Sequence, residues 1–319
     1  MIPRSFVFAL ALLAAGCGAR SPLTEASTGT SGADAGPHAE HIYVAESDVH
    51  GNDARLIRFD DMSGTNWTTF RPAATGLCGV AVDDEDRIYT LSAQPPSVLR
   101  VDDMEGNGLV TFSEPGIGDG QIAGPSGVAL DASGRIYFTD AVAHRVVRID
   151  DLSGAGWVAL GGPDPGSGVG QFNTPLGIAV SSAGKILVGD SQNGRVVEID
   201  DISGAGWKEL AIPSLGTIEV PFGVSYDAEG HIYVAEFQSS ILHRFDSIAG
   251  DGHVGFVSSE IVQLSHVFVH PSGRIYMGML NLAGAVAVMD DIMGTNFTKL
   301  GTPGSGEKQF RNPCGIFVR

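Results

Sequence analysis

Four carboxylates stand at the same point of a recurring apolar segment, and they are the first candidates for chemistry. The segments are IYVAE, IYFTD, ILVGD and a second IYVAE, and their last residues are Glu46, Asp140, Asp190 and Glu236. Carboxylates brought close together repel one another unless a cation or basic side chains lie among them. Oxygen ligands suit Ca²⁺, which takes about six to eight of them. One interpretation is therefore a cation or ligand site, with Ca²⁺ as the candidate ion.

The same carboxylates have a structural interpretation, which we favour. Arg145 and Arg195 follow Asp140 and Asp190 at one common spacing, so each aspartate can form an ion pair inside its own repeat. The repeat that contains Glu236 has no arginine at that spacing, and the nearby basic side chain is His243. Glu46 and Glu236 are the better ligand candidates because they carry Glu where the other two repeats carry Asp.

The elements that must position these residues form one unit repeated along the chain. DDLSGAGW at 150–157 returns as DDISGAGW at 200–207, and weaker copies begin at residues 60, 102, 246 and 290. A second phrase keeps the same period: GVAV, GVAL, GIAV, GVSY, HVFV and GIFV, the last at 315–318. Each unit contains four short apolar strands. Four-stranded repeats of about 40–50 residues predict a β-propeller.

The repeated DD phrase is interpreted as a hairpin connection. Its acidic pair could suggest a cation loop, but its length and glycines are typical of a turn in which Asp bonds backbone amides. The residue that follows, such as Trp157 or Trp207, begins the outer strand and is expected to fill space between blades.

The two ends of the repeated region predict the number of blades. The first unit begins at His41 without a GVAV-type strand, and the chain finishes on such a strand at 315–318. The last strand can complete the first blade, which closes the ring and removes an open sheet edge. We therefore predict one all-β domain, a six-bladed propeller over residues 41–319.

The segment GSGVGQFNTPLGIAVSSAGKILVGDSQNGRVVEID (166–200) resembles an NHL repeat. The segments at 120–150 and 304–318 are similar, and the resemblance covers essentially residues 41–319. It implies a propeller whose strand-ending Asp holds the following loop. It does not imply one function, because such propellers serve as enzymes and as binding modules.

Two enzyme classes with similar propellers bear on the candidate residues. Amidating-pathway lyases use several channel histidines on a metal, whereas only one inner-strand position here is histidine. Calcium-dependent lactonase-like propellers use Glu, Asn and Asp in the channel, and Glu46 and Glu236 could match these residues. This sequence contains no further motif specific to that family.

That inner-strand histidine is His266, which stands where other inner strands have glycine and is expected near the channel mouth. His270 follows it across a strand, where four residues span about 13 Å. This is too far for the two to share one Zn²⁺ at about 2 Å per bond. His266 is therefore a candidate ligand residue by itself.

Two cysteines stand at equivalent points of neighbouring blades. Cys78 and Cys314 each precede the inner-strand glycine, in LCGVAV and PCGIFV. Secretion permits a disulfide between them, and the alternative is two small buried thiols.

The first residues predict export and lipid attachment. MIPRSFVFALALLAAG (1–16) has a positive charge and a short apolar run, as a secretory signal peptide does. LAAGC resembles a bacterial lipobox, which implies acylation of Cys17. The resemblance also implies location at the outer membrane, because Gly18 follows the cysteine. Residues 17–40 are rich in Gly, Ser, Thr and Ala, so we expect a flexible linker.

The charge excludes one class of partner. The formal net charge is −18 over 319 residues, and nucleic-acid binding rests on cationic contacts. We predict a monomeric, lipid-anchored propeller of the bacterial envelope, without a resident cofactor. Its preferred function is non-catalytic binding of a protein, peptide or glycan through one loop face. The alternative is a metal-dependent lyase or lactonase-like hydrolase at the central channel.

Overall fold

The structure, a computed structural model, describes residues 40–47, 54–211, 218–280 and 284–319. The predicted signal peptide (1–16), Cys17 and the linker up to residue 39 lie outside the described residues. Within the described ranges, no helix is long and apolar enough to cross a membrane.

The described chain forms β-strands in the predicted order. Blade 1 begins with β1 (Ile42–Ser47), β2 (Arg55–Phe59) and β3 (Thr68–Phe70). Blade 2 contains β4 (Thr75–Val82), β5 (Ile88–Gln94), β6 (Pro96–Val101) and β7 (Val110–Phe112). Blade 3 contains β8 (Pro125–Leu130), β9 (Ile136–Asp140), β10 (Arg145–Ile149) and β11 (Val158–Gly161).

The second half repeats this order. Blade 4 contains β12 (Pro175–Val180), β13 (Ile186–Asp190), β14 (Arg195–Ile199) and β15 (Lys208–Glu209), with the 3₁₀ turn Ser191–Asn193 after β13. Blade 5 contains β16 (Pro221–Tyr226), β17 (Ile232–Glu236), β18 (Ile241–Phe245) and β19 (Val254–Phe256). Blade 6 contains β20 (Leu264–Val269), β21 (Ile275–Met279), β22 (Ala285–Met289) and β23 (Thr298–Leu300). A parallel pair, β24 (Thr302–Pro303) and β25 (Gln309–Phe310), then leads to β26 (Asn312–Val318).

The last strand completes the first blade. β26 pairs antiparallel with β1, in a register that places Ile42 opposite Val318 and Val44 opposite Ile316. Blade 1 therefore has the order β26-β1-β2-β3, and the other five four-stranded sheets each follow chain order from the inner strand outward. The predicted six-bladed all-β propeller, closed by the C-terminal strand, is confirmed.

The core lies between the blades. Among the described residues, each seam between neighbouring blades holds its own cluster of buried apolar side chains. Trp67, Trp157 and Trp207 pack against three of these clusters, as predicted. Leu109, the equivalent residue of blade 2, is instead exposed.

The repeated DD phrase forms the predicted turn. The Ser153 amide donates to Asp151 Oδ1 at 2.8 Å, and the Ser203 amide does the same to Asp201. Gly156 has a φ of 64°, and a Cβ there would lie 2.1 Å from Asp150 Oδ2. The same turn recurs in the other blades, where Asn66 and Asn296 replace this glycine in blades 1 and 6 and also adopt a positive φ.

The antiparallel order gives the ring two distinct faces. The loop face carries the connections from one blade to the next, such as residues 113–124 and 162–174. The hairpin face carries the turns between the first and second strands, such as residues 83–87 and 131–135, together with the DD turns.

Candidate functional site

The four predicted carboxylates lie at the end of the second strands of blades 3, 4 and 5, and one residue before it in blade 1, beneath the loop face. Each lies opposite a proline at or near the start of the inner strand: Pro313 faces Glu46 and Pro125 faces Asp140. All four are buried, with exposed fractions of 0–4%. These side chains are therefore inside their blades, and what they bond decides what they can do.

Blades 3 and 4 contain the predicted ion pairs. Arg145 Nη2 lies 3.3 Å from Asp140 Oδ2, and Arg195 Nε lies 2.8 Å from Asp190 Oδ2. Each guanidinium also donates to backbone carbonyls of the blade-to-blade loop, with Gln121 accepting from Arg145 at 2.6 Å and Gln171 from Arg195 at 2.9 Å. The arginine thus ties the loop to the carboxylate.

Blade 1 has the same arrangement, which the sequence pattern did not reveal. Arg55 Nε donates to Glu46 Oε1 at 2.5 Å, and Arg55 is only 1% exposed. Its other nitrogens donate to the carbonyls of Ser305 and Gln309, at 2.7 and 2.6 Å. Arg55 was missed because the connection before it is longer than in blades 3 and 4. The only signal was its place as first residue of a third strand.

Backbone amides complete the bonds of these carboxylates. Asp140 accepts from Ala123 and Gly124, Asp190 from Asn173, and Glu46 from Arg311, at 2.7–3.1 Å. A glutamine closes each of the three loops on itself, as Gln171 Oε1 does by accepting from the Gly168 amide at 3.1 Å. We call each carboxylate, arginine and loop an arginine brace.

Blade 5 builds its brace from histidine. His243 Nε2 lies 3.1 Å from Glu236 Oε2, and His243 Nδ1 lies 3.0 Å from His253 Nε2. Glu236 also accepts from the Ser239 hydroxyl and from the Glu219 amide, at 2.5 and 2.9 Å. In this blade the carboxylate is linked to a chain of two imidazoles, and the second of them belongs to the start of the outer strand.

The pKa values differ between the two kinds of brace. Burial raises the pKa of Glu46 and of Asp190, and this outweighs the opposing effect of their arginines. Burial also acts to raise the pKa of Glu236, but the bonds from His243, Ser239 and the Glu219 amide more than offset it, so that pKa is lowered. Burial, and secondly His243, lower the pKa of His253.

The five residues predicted as a channel site do not meet at one point. Among the described residues, the group whose ligand atoms lie close enough to share an ion is Asp227, Glu229 and His231 in a hairpin turn, and it includes none of the five. Glu46, Asp140, Asp190 and Glu236 bond within their own blades. A cation held by these carboxylates stays a prediction.

His266 lies apart from the carboxylates, on β20 in the wall of the channel. It lines a cavity of about 530 Å³ that extends to the hairpin turns of blades 2 and 3. His270 lies beyond the end of β20, where its Nδ1 is 2.8 Å from the Ser272 hydroxyl. The expectation that His266 faces the channel agrees with this placement.

Cys78 and Cys314 meet where blades 2 and 1 adjoin. Their Cα atoms lie 5.2 Å apart, and the structure pairs the two sulfurs as a disulfide. Both residues precede inner-strand glycines, Gly79 and Gly315, whose backbones are in close contact. The bridge would join the closing strand to the next blade.

Fold and site together define a six-bladed β-propeller whose loops are held by buried braces. The NHL repeat model matches residues 172–199, which run from Phe172 to the end of β14. This chain therefore contains an NHL repeat, located in the best-conforming blade.

Solved structures similar to this chain share its fold. One is a propeller from a nidogen–laminin complex, at a TM-score of 0.68 and 17% identity, covering 88% of this chain and 98% of that one. Streptogramin B lyase follows at a TM-score of 0.57 and 14% identity, covering 87% and 93%. Virginiamycin B lyase from Staphylococcus aureus has a TM-score of 0.53 and 16% identity, covering 73% and 75%. No curated protein sequence matches this chain significantly.

Proposed function

We propose that this protein is a non-catalytic binding module that takes a protein or peptide partner on its loop face. The proposal places it at the bacterial cell envelope, anchored by the lipid predicted on Cys17. The observation that carries it is a set of exposed aliphatic side chains on connections of that face: Ile117, Val169, Val257 and Val262.

Two of these side chains stand on loops that are held in place from below. Val169 is 76% exposed and Ile117 is 50% exposed. Arg195 bonds the carbonyls of Ser167 and Gly168 beside Val169, and Arg145 bonds the carbonyl of Ile117 itself. An apolar group on a preorganised loop loses little conformational freedom on binding, which favours affinity. The brace therefore has a consequence for recognition as well as for stability.

The similar structures support binding without deciding it. The nidogen propeller occurs in a complex with laminin, so this architecture can serve protein recognition. Aliphatic contacts favour a protein or peptide over a glycan, whose rings usually pack on aromatic side chains. Contiguous apolar patches rimmed by polar residues mark interaction sites, and the four aliphatic side chains stand on three connections of one face.

An enzyme remains the alternative, since two of the similar structures are lyases. A metal-dependent lyase or lactonase-like hydrolase would need several ligands converging at the channel. The described carboxylates instead bond arginine, histidine and amides, which supports the binding proposal over the enzymatic one.

Substitution on the two faces tests the proposal. The immobilised protein would be exposed to envelope extract, with cross-linking and mass spectrometry of what is retained. The loop-face variant is Ile117→Ser with Val169→Ser. Truncation of a side chain that anchors an interface costs more than about 1 kcal/mol. With Ile117 and Val169 as the proposed anchors, the variant's affinity for the retained partner should fall by at least about fivefold per site.

Leu109 and Met293 provide the matched control. They are 48% and 71% exposed, and both belong to DD turns on the hairpin face. The pair Leu109→Ser with Met293→Ser should keep the partner at the original affinity. Equal loss in both pairs, or no loss in either, would contradict binding through the loop face.

A further inference from the structure

The channel cavity has an unequal wall. The inner strands contribute one residue each at a common level, and these are small in blades 2 to 5 and aromatic in blades 6 and 1: Ala81, Ala129, Ala179, Ser225, Phe268 and Phe317. The rings of Phe268 and Phe317 lie 4.6 Å apart, centroid to centroid. The small side chains leave open space beside an aromatic surface.

The cavity is closed towards the loop face. One contiguous cluster joins Ala141, Leu176, Phe222, Phe237 and Leu280, with Cys314 packed against it. Because these residues come from blades 3, 4, 5, 6 and 1, the cluster crosses the channel near the start of the inner strands. The cavity is therefore a pocket with its opening on the hairpin face.

His266 provides a polar group inside this pocket. Five blades have glycine at its position, for example Gly127, where a Cβ would lie 2.4 Å from the Leu176 carbonyl oxygen. Within the described residues, the His266 ring has no hydrogen-bond partner. Burial lowers the pKa of His266 to about 4, so the imidazole is neutral near pH 7 and offers one donor and one acceptor.

The mouth of the pocket is acidic. Asp83, Asp84, Glu85 and Asp131 line it, and the guanidiniums of Arg87 and Arg135 lie among them. Asp83 and Glu85 bond Arg87 at 2.6 and 2.7 Å, and Asp131 bonds Arg135 at 2.7 Å. Arg319 donates to the Asp84 backbone carbonyl at 3.0 Å. The Asp84 carboxylate is exposed and has no partner among the described residues. The lining carboxylates still outnumber these guanidiniums, so the mouth favours cations over anions, in a protein of net charge −18.

We propose that this pocket binds a small organic cation. Its aromatic or apolar body packs on Phe268 and Phe317, a neutral polar atom bonds the His266 imidazole, and its positive group remains at the acidic mouth. The volume lies in the range of ligand pockets, about 300–1,000 Å³. Anionic ligands such as phosphates and carboxylates are disfavoured by the mouth. This site lies on the face opposite the proposed partner surface and does not depend on it.

Three naphthalene probes of different charge test the assignment. Dansylcadaverine carries an ammonium group, N-phenyl-1-naphthylamine is neutral, and 8-anilino-1-naphthalenesulfonate is an anion. Each becomes more fluorescent in an apolar site, so titration of the purified protein gives an affinity for each. We expect saturable binding in the order cation, neutral probe, anion, with the preference for the cation weakening as salt rises.

Two variants locate the binding. Ala179→Phe places a ring in the open space and should abolish saturable binding of the cation. Because a variant in the channel wall can also fail to fold, the second variant changes exposed groups only: Asp84→Asn with Glu85→Gln. Removing these charges should weaken dansylcadaverine about three- to fivefold at low salt and leave the neutral probe unchanged.

Asp119→Asn with Glu307→Gln is the matched control, since it removes two charges from the loop face. That control should not change the affinity for dansylcadaverine. Tighter binding of the anion than of the cation would overturn the proposal. So would equal weakening by the two pairs of charge variants, or cation binding that survives Ala179→Phe in a folded protein.

Discussion

Blades 1, 3 and 4 differ from blade 5 in how one buried carboxylate is neutralised. In the first group a guanidinium bonds the carboxylate and also reaches the carbonyls of the neighbouring loop, as Arg55 does with Glu46 and Ser305. In blade 5 an imidazole bonds Glu236 and passes the contact to a second imidazole, His253. The strand geometry is the same in both.

The difference teaches that one scaffold position can carry two physical behaviours. Arginine keeps its charge at all ordinary pH values, so the arginine braces hold their loops independently of acidity. Histidine changes its charge between about pH 5 and 8, so the brace of blade 5 is sensitive to acidity. Because the arginine donates to loop carbonyls, loops of blades 1, 3 and 4 are also fixed more directly.

The largest effect expected from this comparison follows removal of Arg55. Arg55→Ala leaves Glu46 buried without its counter-charge, which should lower the free energy of unfolding by about 3–5 kcal/mol. His243→Ala in blade 5 should cost about 1–2 kcal/mol, because Ser239 and the Glu219 amide still bond Glu236. Urea denaturation measures both.

A compensating variant separates charge from packing. Arg55→Met combined with Glu46→Gln removes both charges and should recover much of the lost stability. If the single variants Arg55→Ala and His243→Ala proved equally destabilising, the distinction between the two braces would not hold.

Loss of the Cys78–Cys314 bridge should have the second-largest effect on the free energy of unfolding. Blade 2 has no carboxylate at the brace position, where Ser92 stands, so the bridge would be its covalent tie to blade 1. Cys78→Ser should lower the free energy of unfolding by about 2–4 kcal/mol under oxidising conditions. A reducing agent should lower the unfolding midpoint of the original protein and leave that of the variant unchanged. Two free thiols in the unreduced, denatured protein would show that the bridge is absent.

Acidification should open blade 5 before the arginine-braced blades. The pKa of His253 lies below its ordinary 6.5, and that of Glu236 below its ordinary 4.5, so both contributions to stability fall as pH drops below those ordinary values. The pKa values of Glu46 and Asp190 are raised, so their contributions do not decrease on acidification. Hydrogen exchange, corrected for intrinsic rates, should show several-fold more opening of β18 at about pH 5.5 than at about pH 7.

β10 and β14 are the internal controls for that experiment, since both begin with a brace arginine. Uniform protection of β10, β14 and β18 at both pH values would remove the proposed acid sensitivity of blade 5.

The smallest effect should come from the glutamines that close the braced loops. Gln171 is exposed, and among the described residues its side chain bonds only the Gly168 amide. Gln171→Ala should change the free energy of unfolding by no more than about 0.5 kcal/mol, measured beside Arg195→Ala. A loss as large as that of Arg195→Ala would assign the loop conformation to the glutamine instead of the arginine.

Two of the ion pairs in the candidate site could be predicted from the spacing of their residues in the sequence. A third could not, because its connecting loop has a different length. Asp140 with Arg145 and Asp190 with Arg195 were predictable because a tight turn fixes the distance between paired strands. Glu46 and Arg55 occupy the same register, but their longer connection hid the relation. The Phe268–Phe317 wall also had a signal, since HVFV and GIFV place Phe where the phrases GVAV, GVAL and GIAV place Ala.

The sequence by itself determined the architecture, because each repeat contains the strands, turns and interblade residues that one blade requires. Six such units, with a terminal strand able to complete the first, specify a closed ring. Only the tertiary structure decided which residues face the channel, which end of it is filled by Leu176 and Phe222, and that His266 lies alone in the open end. Those outcomes depend on contacts between blades far apart in sequence, and such contacts leave no periodic signal within a single repeat.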